Sequence, residues 1–263
     1  MNSTNELVEI CEVAVVLVGD WPGSNVAYRS KVADLGAHYV IQLKAMLDKW
    51  APPSLNWRFT CWTDRPSIPG VNTQPMPTGL YSYFNKLWLF SPQTFPTGSR
   101  VLFLDLDTCV VGDWSPLATI PLDKPVFLRD LWAEPVLATG LMSWRTTLAT
   151  QRIWHDFEPV SLRRPPYGHP IPARSGSGQM EARTDEHWLY RYFPRGSWNA
   201  FQDELPGMFA SYKVDIACTM RRNGEVSPPM TAERAKALRI VYMHGRPRPH
   251  EIKAPWNAHY LGL

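Results

Sequence analysis

Two aspartates one residue apart, Asp105 and Asp107, close the otherwise apolar run RVLFLDLDTCVVG at residues 100–112. In a strand, residues i and i+2 share a face, so the pair is expected to project together. Carboxylates that close repel, and one takes up a proton unless a cation lies between them. A hard divalent cation prefers oxygen ligands and relieves that repulsion, so Mn2+ or Mg2+ is the expected cofactor. At the carboxyl end of a central parallel strand the pair overhangs the crevice where open α/β sheets bind ligands. The same pattern also fits a plain acidic turn at a strand end. His244 follows the apolar IVYM of residues 240–243, and an imidazole can complete a metal site begun by two carboxylates. Gly245 and Arg248 come next in HGRPRP. Glycine lets backbone approach phosphates, and arginine offers a planar fork for two phosphate oxygens. A basic, Pro-rich surface loop is the plainer reading of that segment.

The elements that must position these residues are legible in outline. Residues 13–19, VAVVLVG, form a β-branched run that predicts a buried strand. Apolar residues at helical spacing from Tyr39 to Trp50 predict a helix that APP terminates. Residues 58–64, RFTCWTD, predict a second strand ending in Asp64, which can bond a nucleoside or simply start a turn. Residues 80–90, LYSYFNKLWLF, predict a helix carrying Lys86. Further strands are predicted over 101–106, 125–129, 140–144 and 240–243, and helices over 146–157 and 185–193. Residues 161–184, rich in Pro, Gly, Ser and Arg, read as a long loop. Strands alternating with helices indicate an α/β fold with a mostly parallel sheet, here a single domain over residues 1–263.

The chain has 263 residues with 44% hydrophobic and 19% charged content, enough apolar material for a sizeable core. A net charge of +3 is too small to argue for a nucleic-acid partner. There is no apolar run long enough for a transmembrane segment, and the polar, acidic beginning lacks the features of a secretory signal. A cytoplasmic location with reduced cysteines is expected, because Cys11, Cys61, Cys109 and Cys218 show no CxxC spacing. Twenty-five prolines imply many fixed turns. Tyr81, Tyr83, Trp88, Trp132, Trp188 and Trp198 can stack on base or sugar faces, with core packing the expected use of most of them.

An apolar strand followed by DxD occurs in two families. Haloacid-dehalogenase-like phosphohydrolases use the first aspartate, here Asp105, as a nucleophile with Mg2+, but on their first strand near the N-terminus. The chain more fully resembles glycosyltransferases of the GT-A (nucleotide-diphospho-sugar transferase) fold, in particular the family 8 group of glycogenin and bacterial galactosyltransferases. The resemblance runs in order through Asn85-Lys86-Leu87, VLFLDLDTCVVGDWSPL, ATGLMSW, Thr184-Asp185-Glu186 and VYMHGRPRPHE. Ala138, Glu186 and Arg248 stand where that family has asparagine, glutamine and lysine.

The resemblance implies a metal-dependent transferase that moves a hexose from a nucleoside diphosphate sugar, a UDP-sugar, to an acceptor hydroxyl, with retention. Asp105, Asp107 and His244 would hold the metal. Lys86, Asp64, Asp105, Gly245 and Arg248 would bind the donor. Asp185 and Glu186 would act at the sugar or the acceptor, although an aspartate opening a helix also suits an N-cap. The acceptor class is a glycan, a lipid-linked sugar or a protein. A non-catalytic nucleotide- or glycan-binding protein of the same fold is the remaining alternative.

Overall fold

The computed structural model describes residues 9–19, 36–77, 82–130, 136–161, 184–219, 221–222, 225–226, 230–243 and 247–252. In chain order the first half comprises β1 (Cys11–Leu17), α1 (Ala37–Trp50), β2 (Trp57–Thr63), β3 (Thr73–Pro75), a 3-10 segment (Ser82–Phe90), β4 (Arg100–Leu104), β5 (Thr108–Val110) and α2 (Ser115–Thr119). Then come β6 (Val126–Arg129), β7 (Leu137–Arg145), α3 (Leu148–Ser161), α4 (Asp185–Leu189), β8 (Asn199–Ala200), α5 (Phe201–Glu204) and β9 (Phe209–Ser211). A π-helical turn (Tyr212–Ile216), β10 (Arg221–Arg222), β11 (Glu225–Val226), α6 (Ala232–Ala237), β12 (Ile240–Tyr242) and a 3-10 turn (Pro249–Glu251) complete the order.

The main sheet runs β3-β2-β1-β4-β7-β6-β8. Its strands are parallel except at β7, which is antiparallel to both β4 and β6. The predicted α/β fold with a mostly parallel sheet flanked by helices is therefore observed. Strand alternation divides the core. Val13, Val15, Leu17, Leu102 and Leu104 join α1 and a small second sheet in one apolar cluster. Ala14, Val101 and Phe103 point the other way, into a Trp- and Phe-rich cluster with the 3-10 segment, α3 and α4. Trp88 and Trp188 are buried there and Trp198 packs against it, as expected of core tryptophans.

The small sheet has the order β5-β12-β9. β12 is antiparallel to β5 and parallel to β9, so Thr108, Tyr242 and Ser211 lie in one row. Gly112, just past β5, makes the close packing possible. A Cβ there would sit 2.8 Å from Arg239 Cδ and 3.0 Å from the Leu238 carbonyl. Cys11, Cys61 and Cys109 are buried and not disulfide-bonded, and burial pushes Cys11 and Cys109 up to about 12.

Two sequence expectations need correction. Residues 82–90 wind as a 3-10 segment, not an α-helix. Phe84, Asn85, Leu87, Trp88, Leu89 and Phe90 are all buried. Packing on every side, rather than one apolar stripe, sets the winding. The strand predicted over 101–106 stops at Leu104, before the first aspartate. Among the described residues, no helix is long and apolar enough to cross a membrane. The stretch 162–183 lies outside the described residues, as do His244 and Gly245.

Candidate functional site

The carboxyl ends of β1, β2 and β4 lie along one edge of the sheet because these strands are parallel. At that edge β4 ends and a turn begins, closed by the Thr108 N–H donating to the Asp105 carbonyl at 3.0 Å. The turn gives the two aspartates different first partners, yet they stay close enough for Asp105 to raise Asp107 and for Arg248 to act on Asp105. Asp105 continues the alternation of Val101 and Phe103 and meets the 3-10 segment. Asp107 leads into β5 and meets the small-sheet side.

On the Asp105 side, Lys86 Nζ donates to Asp105 Oδ2 at 2.9 Å and lies over the Phe103 ring at 5.4 Å. The ammonium is also 3.7 Å from Asp185 Oδ2. Thr139 completes its surroundings, with Oγ1 at 3.3 Å and the carbonyl oxygen at 3.5 Å. Burial opposes the charge of Lys86, yet Asp105 and Asp185 overcome it and hold the ammonium above the usual lysine range. Asp105 is raised by burial, partly offset by Lys86, with Asp185 adding repulsion.

Thr184, not Asp185, caps α4, its hydroxyl accepting from the His187 N–H at 3.4 Å. The N-cap reading of Asp185 therefore fails. Asp185 is the first helical residue, 2% exposed, and its Oδ2 has no hydrogen-bond donor among the described residues. Glu186, one position on, accepts from the Thr139 backbone N–H. Burial, with Asp185 and Asp130 beside it, pushes Glu186 up to about 7 despite Lys86. Asp105, Asp185 and Glu186 thus make the surroundings of Lys86 rich in carboxyl groups.

On the Asp107 side the balance reverses. Arg248 Nη1 donates to Asp107 Oδ2, and both residues are buried. A reciprocal cap fixes the arginine's backbone, the Arg248 N–H donating to Glu251 Oε2 at 2.7 Å. Lys213, two residues past the end of β9, is the second cation here. Burial and the charge of Arg248 hold it below the usual lysine range, while Asp107 pulls the other way. Asp107 itself is pushed up to about 7, by burial and by Asp105, against the pull of Arg248.

Lys86, Asp105, Asp185, Glu186, Asp107 and Arg248 therefore lie together at one edge of the sheet. Asp64 lies at the same edge just past β2, where both its oxygens accept from the Gly19 N–H at 3.2 Å. That contact supports the turn reading of Asp64. His244 and Gly245 fall outside the described residues; β12, which precedes them, ends with Tyr242 paired to Thr108, next to Asp107. Thr139, Lys213 and Asp130 were not foreseen. Thr139 lies within the ATGLMSW segment but was given no role there, Lys213 and Asp130 lie in no motif, and the strand pairings of β6, β7 and β9 bring the three in.

No family model matches the chain, and no curated protein matches it. Solved structures do. The apo structure of WbbM, a bifunctional glycosyltransferase, superposes with a TM-score of 0.58 at 10% identity, covering 100% of this chain and 52% of that one. The galactosyltransferase LgtC, in complex with donor and acceptor sugar analogs, gives 0.52 at 12% identity over 95% of both chains. The glycosyltransferase GlyE of Streptococcus pneumoniae TIGR4 gives 0.55 at 13% identity, over 95% of this chain and 60% of that one. The chain therefore spans about half the length of WbbM and less than two thirds of GlyE. These likenesses are ones of fold. The chain has the mixed α/β fold of these structures, with DxD just past the end of the fourth strand.

Proposed function

We propose that this chain is a glycosyltransferase of the family 8 type. It would move a hexose from a nucleoside diphosphate sugar, a UDP-sugar, to an acceptor hydroxyl with retention. The observation that carries the proposal is the charge asymmetry about DLD. A carboxyl-rich side around Lys86 adjoins a cationic side built from Arg248 and Lys213. The transition state of glycosyl transfer has the same polarity. Positive, oxocarbenium-like charge grows on the sugar while negative charge grows on the leaving diphosphate.

The residues present fit a divalent cation. Asp105 and Asp107 are oxygen donors, both raised by burial, with Asp107 still at about 7 under Arg248. Local negative charge of this kind is what Mn2+ or Mg2+ would neutralise. Asp105 and Asp107, with His244 as the third expected ligand, would hold the ion. When bound, it supplies Lewis-acid neutralisation of the leaving diphosphate.

The rest falls to the chain's own groups. Arg248 and Lys213 would face the phosphates, the arginine through its planar fork. Lys86 would donate to a sugar hydroxyl while keeping Asp105 and Asp185 paired. Asp185 Oδ2, buried and without a hydrogen-bond donor among the described residues, would accept from a hydroxyl of the sugar or acceptor. Glu186 would share that duty.

Thermal unfolding with UDP, with Mn2+, with both, and with both plus chelator tests the reading. A ligand at a hundredfold its Kd stabilises the folded state by about 2.7 kcal/mol, a shift of several degrees. A shift that needs nucleotide and metal together, and is lost in Asp107→Ala, is expected. Stabilisation by metal alone, indifferent to every nucleotide, would overturn the reading. Nucleotide binding without transfer or hydrolysis of any UDP-sugar at high protein concentration would leave a binding protein of the same fold.

A further inference from the structure

The pairing of β6 with β7 is interrupted. Phe127 pairs with Met142, but the next residue, Leu128, pairs with Ala138. Residues 139–141 of β7 therefore have no partner on β6. Such irregularities release backbone groups and re-aim side chains. On the other side β7 remains engaged, with Leu104 opposite Leu141 and the Asp105 N–H donating to the Gly140 carbonyl at 2.9 Å. The released residue, Thr139, is 2% exposed. Its hydroxyl and carbonyl oxygens both lie against Lys86 on the 3-10 segment, and its N–H acts on the Glu186 carboxyl on α4 so as to favour the charged form.

We infer that Thr139 is a positioning residue, whose three polar groups fix the Lys86 ammonium and the Glu186 carboxyl relative to each other at the sugar side of the site. The inference rests on the proposed transferase reading, but its geometry stands without it. A lysine has a flexible four-carbon stem, and a carboxylate partner alone leaves its direction loosely set. Asp105 Oδ2 at 2.9 Å fixes one direction and Thr139 Oγ1 at 3.3 Å fixes a second. Glu186 takes its place from a strand amide, a donor that cannot rotate away. A local irregularity in a rigid sheet thus joins two elements that touch the sheet separately.

The test compares wild type with Thr139→Val, which removes the hydroxyl and keeps the shape, and Thr139→Ser, which keeps the hydroxyl and removes the methyl. Two readouts are taken. One is kcat and KM for the nucleotide sugar. The other is the 13Cε resonance of Lys86 in lysine-labelled protein without substrate, assigned by its loss in Lys86→Arg. Misplacement of a reacting group by about 1 Å costs on the order of a hundredfold, so kcat should fall about ten- to hundredfold in Thr139→Val. KM should change little, and Thr139→Ser should recover most of the rate. The Lys86 resonance should move in the valine variant and not in the serine variant.

A Lys86 resonance unchanged in Thr139→Val, or equal losses in both variants, overturns the inference and leaves Thr139 a packing residue. Should the valine variant not fold, Thr139→Ala provides the same comparison. If wild type turns over no nucleotide sugar, the transferase reading fails, while the Lys86 resonance still decides the positioning.

Discussion

Asp105 and Asp107 are separated by one residue, yet they belong to opposite environments. Asp105 ends the alternation of β4 and is held by a lysine that the 3-10 segment presents from the Trp-rich face. Asp107 begins the approach to β5 and is held by an arginine beside the small sheet. The first environment is carboxyl-rich, with Asp185 and Glu186 near Lys86 and Asp130 acting on Glu186. The second is cationic, with Lys213 beside Arg248. A single turn at a strand end thus converts one acidic motif into a junction between two fields of opposite sign. A ligand with separated charges, diphosphate at one end and a reacting sugar at the other, can lie across it.

The contrast can be broken most severely at its lysine. Removing one partner of a buried charge pair costs about 3–5 kcal/mol, because the others stay buried and unpaired. Lys86→Ala is expected to lower stability by that order in urea unfolding and to abolish transfer. On the cationic side, Arg248→Ala removes charge-assisted hydrogen bonds worth about 1.5–3 kcal/mol, so nucleoside diphosphate should bind about ten- to hundredfold more weakly. Calorimetric titration with UDP and Mn2+ checks this, and uridine, which has no phosphates, should lose much less.

A third variant sharpens the carboxyl-rich side. Burial and Asp185 raise Glu186 from the ordinary carboxylate value to about 7 in the folded protein. Between the two values the folded chain keeps a proton that the unfolded chain releases. Stability contributed here is therefore full at low pH, falls as pH rises through neutrality, and is flat above. Glu186→Gln should remove that slope and gain on the order of 1–2 kcal/mol over wild type at pH 8, with no gain at pH 4. Unfolding midpoints against pH read the effect directly. The smallest change targets the scaffold of the cationic side alone. A Cβ at residue 112 would press on the Leu238 carbonyl, so Gly112→Ala should cost about 1 kcal/mol and weaken UDP binding without altering the Glu186 titration.

The main strands, α1 and the ordered run of Lys86, Asp105, Asp107, Asp185, Glu186 and Arg248 were legible in the residues. Each sits in or beside a local pattern: an apolar β-branched run, a helical stripe, a DxD, a helix start or a Pro-rich cation segment. Lys213 and Thr139 were not legible. Lys213 lies in SYKVD and Thr139 in LATGL, and neither stretch departs from ordinary composition. Of the small sheet only β12 was legible, and β5, β9 and the sheet they form with it were missed for a related reason. Its three strands have 3 residues each, too few to show a period, and they come from distant parts of the chain.

By itself, the sequence determined the strand-rich α/β frame, because burial on both faces demands continuous apolar runs and these are local. It also determined which charged residues stand at the ends of those runs. Only the tertiary structure decided how the charges are shared. The end of β4 at Leu104 sends the two aspartates to different partners. The β7 irregularity turns Thr139 toward Lys86 and Glu186, and the pairing of β9 with β12 brings Lys213 to Arg248. Each of these is a contact between segments far apart in the chain, set by strand register and packing rather than by the residues that flank it.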